Sequence, residues 1–255
     1  MHILISNDDG VNAPGIQQLA AALAQFAQIT VVAPDSNRSG VSNALTLDRP
    51  LSVTKTPQGY YAINGTPSDC VHIALTALMP RKPDLVVSGI NNGQNMGEDT
   101  LYSGTVAAAM EGYLFGLPAI AFSLAEKGWA HLDEAVQIAA AFTRQWWDAS
   151  PRAVQLLSVN IPNLPASDHR GLVATRLGRR HASEPVVPMQ SPMGTTVYWI
   201  GPIGAVKDAG EGTDFAAVAQ GFTAVTPLRV DLTDAAAVSG VAQWVQPAAH
   251  AVAAV

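Results

Sequence analysis

Two carboxylates stand side by side at Asp8-Asp9, directly after the apolar run Ile3-Leu4-Ile5 and inside the break Asn7-Asp8-Asp9-Gly10. Adjacent anions repel each other unless a cation lies between them, so the pair reads as a site for a hard, oxygen-ligated metal ion. The structural alternative is a helix start, where aspartate caps free N–H groups and meets the positive end of the helix dipole. Apolar residues do return at helical spacing after Pro14-Gly15, in Ile16, Leu19, Leu23 and Phe26. Position favours the metal. In an open α/β sheet, ligands bind just beyond the carboxyl end of a parallel strand.

A second concentration of chemistry lies in Ser88-Gly-Ile-Asn-Asn-Gly-Gln-Asn-Met-Gly-Glu-Asp99. A connection this long is usually functional. Its glycines let the backbone approach a ligand, and its amides offer neutral oxygen donors. It closes on Tyr102-Ser103-Gly104-Thr105-Val106, two hydroxyls and free backbone N–H groups at a helix start, which suits phosphate; a plain N-cap is the alternative for Ser103. The glycine spacing is neither a dinucleotide fingerprint nor a P-loop, and there is no G-x-S-x-G elbow. Three loops are expected to meet at one sheet edge, bringing Asp8 and Asp9, Ser39, and Asn91 together around one divalent cation per subunit, Mg²⁺ or Mn²⁺, with water completing its shell. Two carboxylates neutralise such an ion, so a bound phosphate needs further donors, which the Ser103-Gly104-Thr105 start supplies.

The elements that must position these groups alternate strand and helix. A helix over 16–27 leads to a second strand, Ile29–Ala33, then to the polar loop 36–43. Short strands are expected at Leu45–Asp48, Leu51–Lys55 and Tyr60–Ile63, with a turn at Pro57–Gly59. Thr66-Pro67 opens a helix with Val71, Ala74, Leu75 and Leu78 on its apolar face. Pro83–Ser88 and Pro118–Ser123 read as further parallel strands. This rhythm predicts an α/β fold, a Rossmann-like doubly wound sheet with helices on both faces. Past residue 125 the pattern predicts a helix over 133–148, strands at Gln155–Asn160, Leu172–Arg176, Thr195–Ile200 and Phe222–Pro227, a helix over Val238–Val245 and a frayed end from His250. The expected organisation is one catalytic domain over 1–255, with a Rossmann-like core over 1–165 and an antiparallel carboxyl-terminal elaboration over about 170–255.

Composition bounds the class. With a net charge of −6 and no Lys/Arg run, the chain lacks a footprint for nucleic acid polymers. Charged residues make up only 13%, roughly half the usual share, which hints at surface hidden in an oligomer. Cys70 stands alone, excluding an intramolecular disulfide and a cysteine-based zinc cluster. No apolar stretch reaches the ~18 residues of a membrane span, and no leader precedes the first strand. A soluble, cytoplasmic protein is expected.

The chain resembles the SurE family of stationary-phase survival proteins. The resemblance rests on Ser6-Asn-Asp-Asp-Gly10 with Ala13-Pro-Gly15, Val32-Ala-Pro-Asp35 with Asn37-Arg-Ser-Gly40, Gly65-Thr-Pro67 with Asp69-Cys70, Ser88-Gly-Ile-Asn91 and Tyr102-Ser-Gly-Thr-Val106, then Tyr198-Trp-Ile-Gly201 and Gly212-Thr-Asp-Phe215. It implies metal ligation by Asp8, Asp9, Ser39 and Asn91, and phosphate contacts from Ser103, Gly104 and Thr105 together with Asn95. It also implies hydrolysis of nucleoside 5′- and 3′-monophosphates, some action on short polyphosphate, and a homodimer or homotetramer built through the carboxyl-terminal part. Gln94 stands where many relatives carry proline, which bears on loop rigidity and not on the chemistry.

The expected reaction is attack of metal-activated water on phosphorus, with Asp8 or Asp9 orienting the water; an aspartyl-phosphate on Asp8 is the competing route. The rival functions are a phosphohydrolase acting on a sugar phosphate or polyphosphate, and a non-catalytic module that binds a phosphorylated ligand. Arg38 is either a substrate contact or plain surface, and His181 after Arg179-Arg180 is either an anion contact or a solvated loop residue.

Overall fold

The computed structural model describes residues 1–149, 154–180, 185–201 and 203–252. The first strand, β1 (His2–Ser6), is buried along its whole length. It is followed by α1 (Pro14–Leu23), β2 (Gln28–Pro34), β3 (Val53–Lys55), β4 (Tyr61–Ile63) and α2 (Pro67–Ile73), which runs on into a π turn, Ala74–Leu78. Next come β5 (Leu85–Asn92), a 3₁₀ turn at Gly97–Leu101, α3 (Gly104–Leu114), β6 (Ala119–Leu124), α4 (Leu132–Asp148) and β7 (Leu156–Ile161). The carboxyl-terminal part contributes β8 (Leu172–Ala174), the hairpin β9 (Val187–Gln190) and β10 (Thr196–Trp199), α5 (Asp214–Ala219), β11 (Thr223–Leu228) and α6 (Val238–Val252).

Among the described residues the large sheet has the order β3-β4-β2-β1-β5-β6-β7-β11-β8, and β9 and β10 form a small sheet of their own. From β4 through β7 every pairing is parallel. β3 runs antiparallel to β4 and β11 antiparallel to β7. The chain steps from β1 to β2 on one side, then returns to place β5 on the other. The crevice at the carboxyl ends of β1 and β5 is therefore the point where the winding reverses, and ligands bind at such points.

Alternate residues of the central strands face opposite core layers. Ile3, Ile5, Val87 and Phe122 pack with Ile16, Leu19, Leu23 and Val136 of α1 and α4. Leu4, Val86 and Ala121 pack with Val71, Val106 and Ala109 of α2 and α3. Helices on both faces explain why these strands are near-continuous apolar runs. Each fully buried Leu or Ile contributes about 1.5–3 kcal/mol relative to exposure. The small residues of α3 bring its axis close to the sheet: a Cβ at Gly112 would lie 2.6 Å from the Val86 side chain.

The mixed α/β architecture is the expected one, with differences at particular elements. Leu45–Asp48 is not a strand. Its groups bond to the start of α2 instead: the Asp69 carboxylate accepts from the Thr46 N–H at 2.9 Å and the Thr46 hydroxyl at 2.6 Å, and the Thr66 hydroxyl donates to the Ala44 carbonyl. β5 runs four residues beyond Ser88, shortening the expected loop, and α1 ends at Leu23. β9 and α5 went unanticipated, and α6 continues to Val252. Among the described residues no helix is long and apolar enough to cross a membrane. His181 lies outside them.

Candidate metal and phosphate site

The site begins where β1 ends. The Asn7 side chain closes a turn on itself, its amide donating to the Gly10 carbonyl at 2.9 Å and its oxygen accepting from the Gly10 N–H at 3.2 Å. Gly10 sits at φ 99°, a conformation that favours glycine. This turn presents Asp8 and Asp9. Neither caps a helix, because α1 starts at Pro14 with Ala13 as a cap that makes no side-chain bond. The capping alternative is thereby removed for both aspartates.

The loop after β2 reaches across to this turn. The Arg38 N–H donates to the Asp8 carbonyl at 2.7 Å, and the Asn37 amide donates to Asp9 Oδ1 at 3.3 Å. Asn37 Oδ1 in turn accepts from the Ser39 N–H at 2.9 Å and the Ser39 hydroxyl at 2.8 Å. With its proton committed to Asn37, Ser39 has its oxygen lone pairs available to a cation. Arg38 itself turns to Asp35, at 3.5 Å. From the other side, the Asn92 N–H donates to Asp9 Oδ2 at 3.1 Å, which places the end of β5 against the pair. The Asn91 amide nitrogen donates to the Gly93 carbonyl at 2.8 Å, so its carbonyl oxygen is the end left for a ligand.

Helix α3 supplies the third wall. The Thr105 hydroxyl donates to Asp8 Oδ1. Gly104 makes this approach possible, since a Cβ there would lie 2.7 Å from the Asp8 Cβ and 3.0 Å from Pro67. Ser103 is the helix cap, its oxygen accepting from the Val106 N–H at 3.0 Å. The capping reading of Ser103 is thus realised, yet a hydroxyl that accepts as a cap still has its O–H to donate.

Asp8 is 4% exposed. Burial pushes its carboxyl up to about 6, Thr105 hydrogen bonding opposes the rise, and the neighbouring Asp9 charge adds to it. Burial raises Asp9 as well, against the Asn92 N–H and the Lys127 charge. A buried pair of this kind is short of positive charge. Among the described residues no group of three or more His, Cys, Asp or Glu side chains gathers as a metal site. A donor set of two carboxylates supplemented by neutral hydroxyl and amide oxygens would fit a hard divalent ion.

Asn95 is buried, at 6% exposure. Its N–H donates to Asn160 Oδ1 at 2.8 Å, its amide donates to the Ser123 hydroxyl at 2.8 Å, and its carbonyl accepts from the Asn160 amide at 3.1 Å. Ser123 pairs with Asn91 across β5 and β6, so the same strand ends hold both asparagines. Sequence reasoning does not assign Asn37, Asn92, Ser123 or Asn160 to the site, although Asn37 and Asn92 lie in motifs it quotes. The Asn92 contact is made by backbone and leaves no side-chain trace. Ser158 and Asn160, polar at alternate positions of an otherwise apolar strand, did carry a readable trace.

The family described as Survival protein SurE matches residues 3–184. The crystal structure of the SurE protein from Aquifex aeolicus superposes with a TM-score of 0.81 at 40% identity, covering 94% of this chain and 98% of that one. A match of that extent, over the strands and loops that build the site, means that the chain belongs to the SurE family.

Proposed function

We propose that the chain is a metal-dependent phosphomonoesterase that hydrolyses nucleoside 5′-monophosphates, and 3′-monophosphates, to nucleoside and phosphate, with short-chain polyphosphate as a further substrate. The observation that carries this reading is the contact between Asp8 and the start of α3, which sets a cation-seeking carboxylate pair against a helix terminus suited to phosphate. Asp8, Asp9, Ser39 and Asn91 would hold one Mg²⁺ or Mn²⁺. Such an ion supplies charge neutralisation and activation of water for attack on phosphorus.

The residues of the chain divide the remaining work. The Ser103 hydroxyl and the Gly104 and Thr105 backbone at the amino end of α3 bind the equatorial phosphate oxygens, where negative charge is stabilised as the P–O ester bond breaks. Asn95, held by Ser123 and Asn160, contributes its amide from the neighbouring strand ends. A carboxylate oxygen of the aspartate pair orients the attacking water, takes its proton and passes it to the departing nucleoside oxygen. Thr105 holds Asp8 Oδ1, which supports a ligand and orienting role over attack by Asp8 itself.

The carboxyl-terminal part serves assembly in this reading, as a homodimer or homotetramer. Its support is the exposed apolar surface of the hairpin, with Tyr198 67% and Trp199 65% exposed. A surface of that kind favours a protein partner.

Phosphate release from a panel of nucleoside monophosphates, a sugar phosphate and polyphosphate, with Mn²⁺, Mg²⁺ or chelator, tests the reading. Metal-dependent release from nucleotides that disappears in Asp8→Asn is the expected result. Release only from the sugar phosphate, or metal-dependent binding without turnover, overturns it.

A further inference from the structure

The stretch Gly212-Thr-Asp-Phe215 takes no part in the chemistry described so far, yet its aspartate is fully buried. Asp214 is the first residue of α5, and backbone N–H groups bind its carboxylate. Oδ2 accepts from Gly97 at 2.8 Å, and Oδ1 accepts from Gly178 at 2.8 Å and from Phe215 at 2.9 Å. Hydrogen bonds to a buried carboxylate are stronger than neutral ones, and losing a partner leaves a buried group unpaired. Gly97 and Gly178 lie outside α5, so this carboxylate does more than start a helix.

The next side chain adds a steric lock. Phe215 is buried and packs on both glycines: a Cβ at Gly97 would lie 2.9 Å from its ring, and one at Gly178 2.5 Å. Gly97 also sits at φ 54°, a conformation that favours glycine. Arg180 lies over the same ring, 5.6 Å from its centroid, with its guanidinium 2.8 Å from Asp99 Oδ2. The turn Gly97–Leu101 is thus held from the carboxyl-terminal part by hydrogen bond, close packing and ion pair at once.

That turn joins two groups assigned to phosphate, because Asn95 precedes it and Ser103 follows it. Its own bonds pass position along the segment. The Asp99 N–H donates to the Met96 carbonyl at 3.1 Å, the Thr100 hydroxyl to the Gly97 carbonyl at 2.7 Å, and the Tyr102 N–H to the Asp99 carbonyl at 3.1 Å. Ser123 and Asn160 fix the Asn95 end, and Ser42 binds the Leu101 and Tyr102 carbonyls at the other. Asp214 supplies the anchor between them. We infer that Asp214 is a positioning residue for the phosphate contacts, fixing the spacing of Asn95 and Ser103 through the Gly97 N–H without touching the substrate. The inference rests on the proposed phosphate site at the start of α3, and it gives the carboxyl-terminal part a task beside assembly. A group held at two points is sensitive to their separation, since a misplacement of about 1 Å costs on the order of a hundredfold in rate.

The test uses the full chain loaded with Mn²⁺, in wild type, Asp214→Asn and Thr213→Ala. In Asp214→Asn the remaining oxygen can keep Gly178 and Phe215, while an amide NH₂ is set against the Gly97 N–H. Calorimetric titration should show inorganic phosphate bound about tenfold more weakly, with Mn²⁺ affinity within about twofold of wild type. The kcat/KM for a nucleoside monophosphate should fall at least as far as phosphate affinity. Thr213→Ala removes the α5 cap and spares the Gly97 bond, so it should lose stability and keep phosphate affinity. Should Asp214→Asn not fold, Gly97→Ala carries the same prediction, because it leaves the carboxylate its other two donors. Unchanged phosphate affinity in the folded variant overturns the inference. So does a joint loss of Mn²⁺ and phosphate affinity that tracks melting temperature across the variants, which marks a merely structural residue. A wild type that binds Mn²⁺ but neither binds phosphate nor hydrolyses nucleotides overturns the phosphate-site reading, and this inference with it.

Discussion

The strands that carry the aspartates and the strands that follow β7 are built to different rules. Every residue of β1, β6 and β7 is buried, whereas every residue of β8, β9 and β10 is exposed. The first group lies under helices on both faces and carries Ser6, Ser123 and Asn160 toward its carboxyl ends. The second group leaves Met193 90% and Ile200 87% exposed around a hairpin that, among the described residues, pairs with itself alone. A rigid covered sheet is what a catalytic site needs, because charges must be held against their own desolvation. An uncovered apolar hairpin is the kind of surface that favours a protein partner. In the proposed reading, one chain thus separates the task of holding buried charge from the task of meeting a partner.

The sharpest way to break this comparison is to remove the charge from the covered half. Asp8→Asn should lower nucleotide hydrolysis at least about a hundredfold. The same change should stabilise the metal-free protein at neutral pH. The folded-state pKa of about 6 lies above the ordinary value of 3.8. Asp8 therefore contributes stability at low pH, and that contribution is lost as pH rises through about 6. Its full ionisation costs on the order of 3 kcal/mol in the absence of a cation. Thermal melts at pH 7.5 with chelator should show Asp8→Asn above wild type, and added Mn²⁺ should raise only the wild type. A variant less stable than wild type in chelator would show that the aspartate pair is not held at a cost.

A charge introduced into the uncovered half should act on assembly and spare the chemistry. Trp199→Glu should shift the species seen by light scattering from oligomer toward monomer. It should leave hydrolysis of nucleoside monophosphates within about threefold, since rim-type charge changes at an interface act mainly on association. If wild type is already a monomer, the hairpin's exposed face needs another explanation. Between the halves in size lies Thr105→Val, which keeps the volume and removes the hydroxyl held by Asp8. It should weaken Mn²⁺ affinity and turnover by about tenfold, the effect of losing a charge-assisted hydrogen bond. The smallest effect belongs to Thr213→Ala. Its hydroxyl caps α5, accepting from the Ala216 N–H at 3.1 Å. Urea unfolding should register a loss of about 1 kcal/mol, with the metal site unaffected.

The parallel core was legible because its cues are local. Buried strands are apolar runs and amphipathic helices repeat every 3.6 residues, so β1, α1, β2, β5, β6 and α4 can be read from spacing alone. The carboxyl-terminal elements were harder. β9 is a short run containing Pro188, and α5 is a helix of 6 residues too brief to show a period. Leu45–Asp48 has strand-like alternation, and side-chain bonds to Asp69 and Thr66 overrode it.

For the site, residue type and placement after a strand were enough to select Asp8, Asp9, Asn91 and Ser103, because paired carboxylates, a glycine-spaced amide loop and a helix start are chemical statements in themselves. What holds them was decided only in three dimensions. Thr105 meets Asp8 across 97 positions of sequence and Asn95 meets Asn160 across 65. Asn37 fixes Asp9 and Ser39 at once, and Asp214 meets Gly97 across 117 positions. A hydrogen bond between distant residues imposes no period and no composition on the chain between them. The sequence therefore determined which groups are capable of the chemistry, and the tertiary structure determined which of them meet.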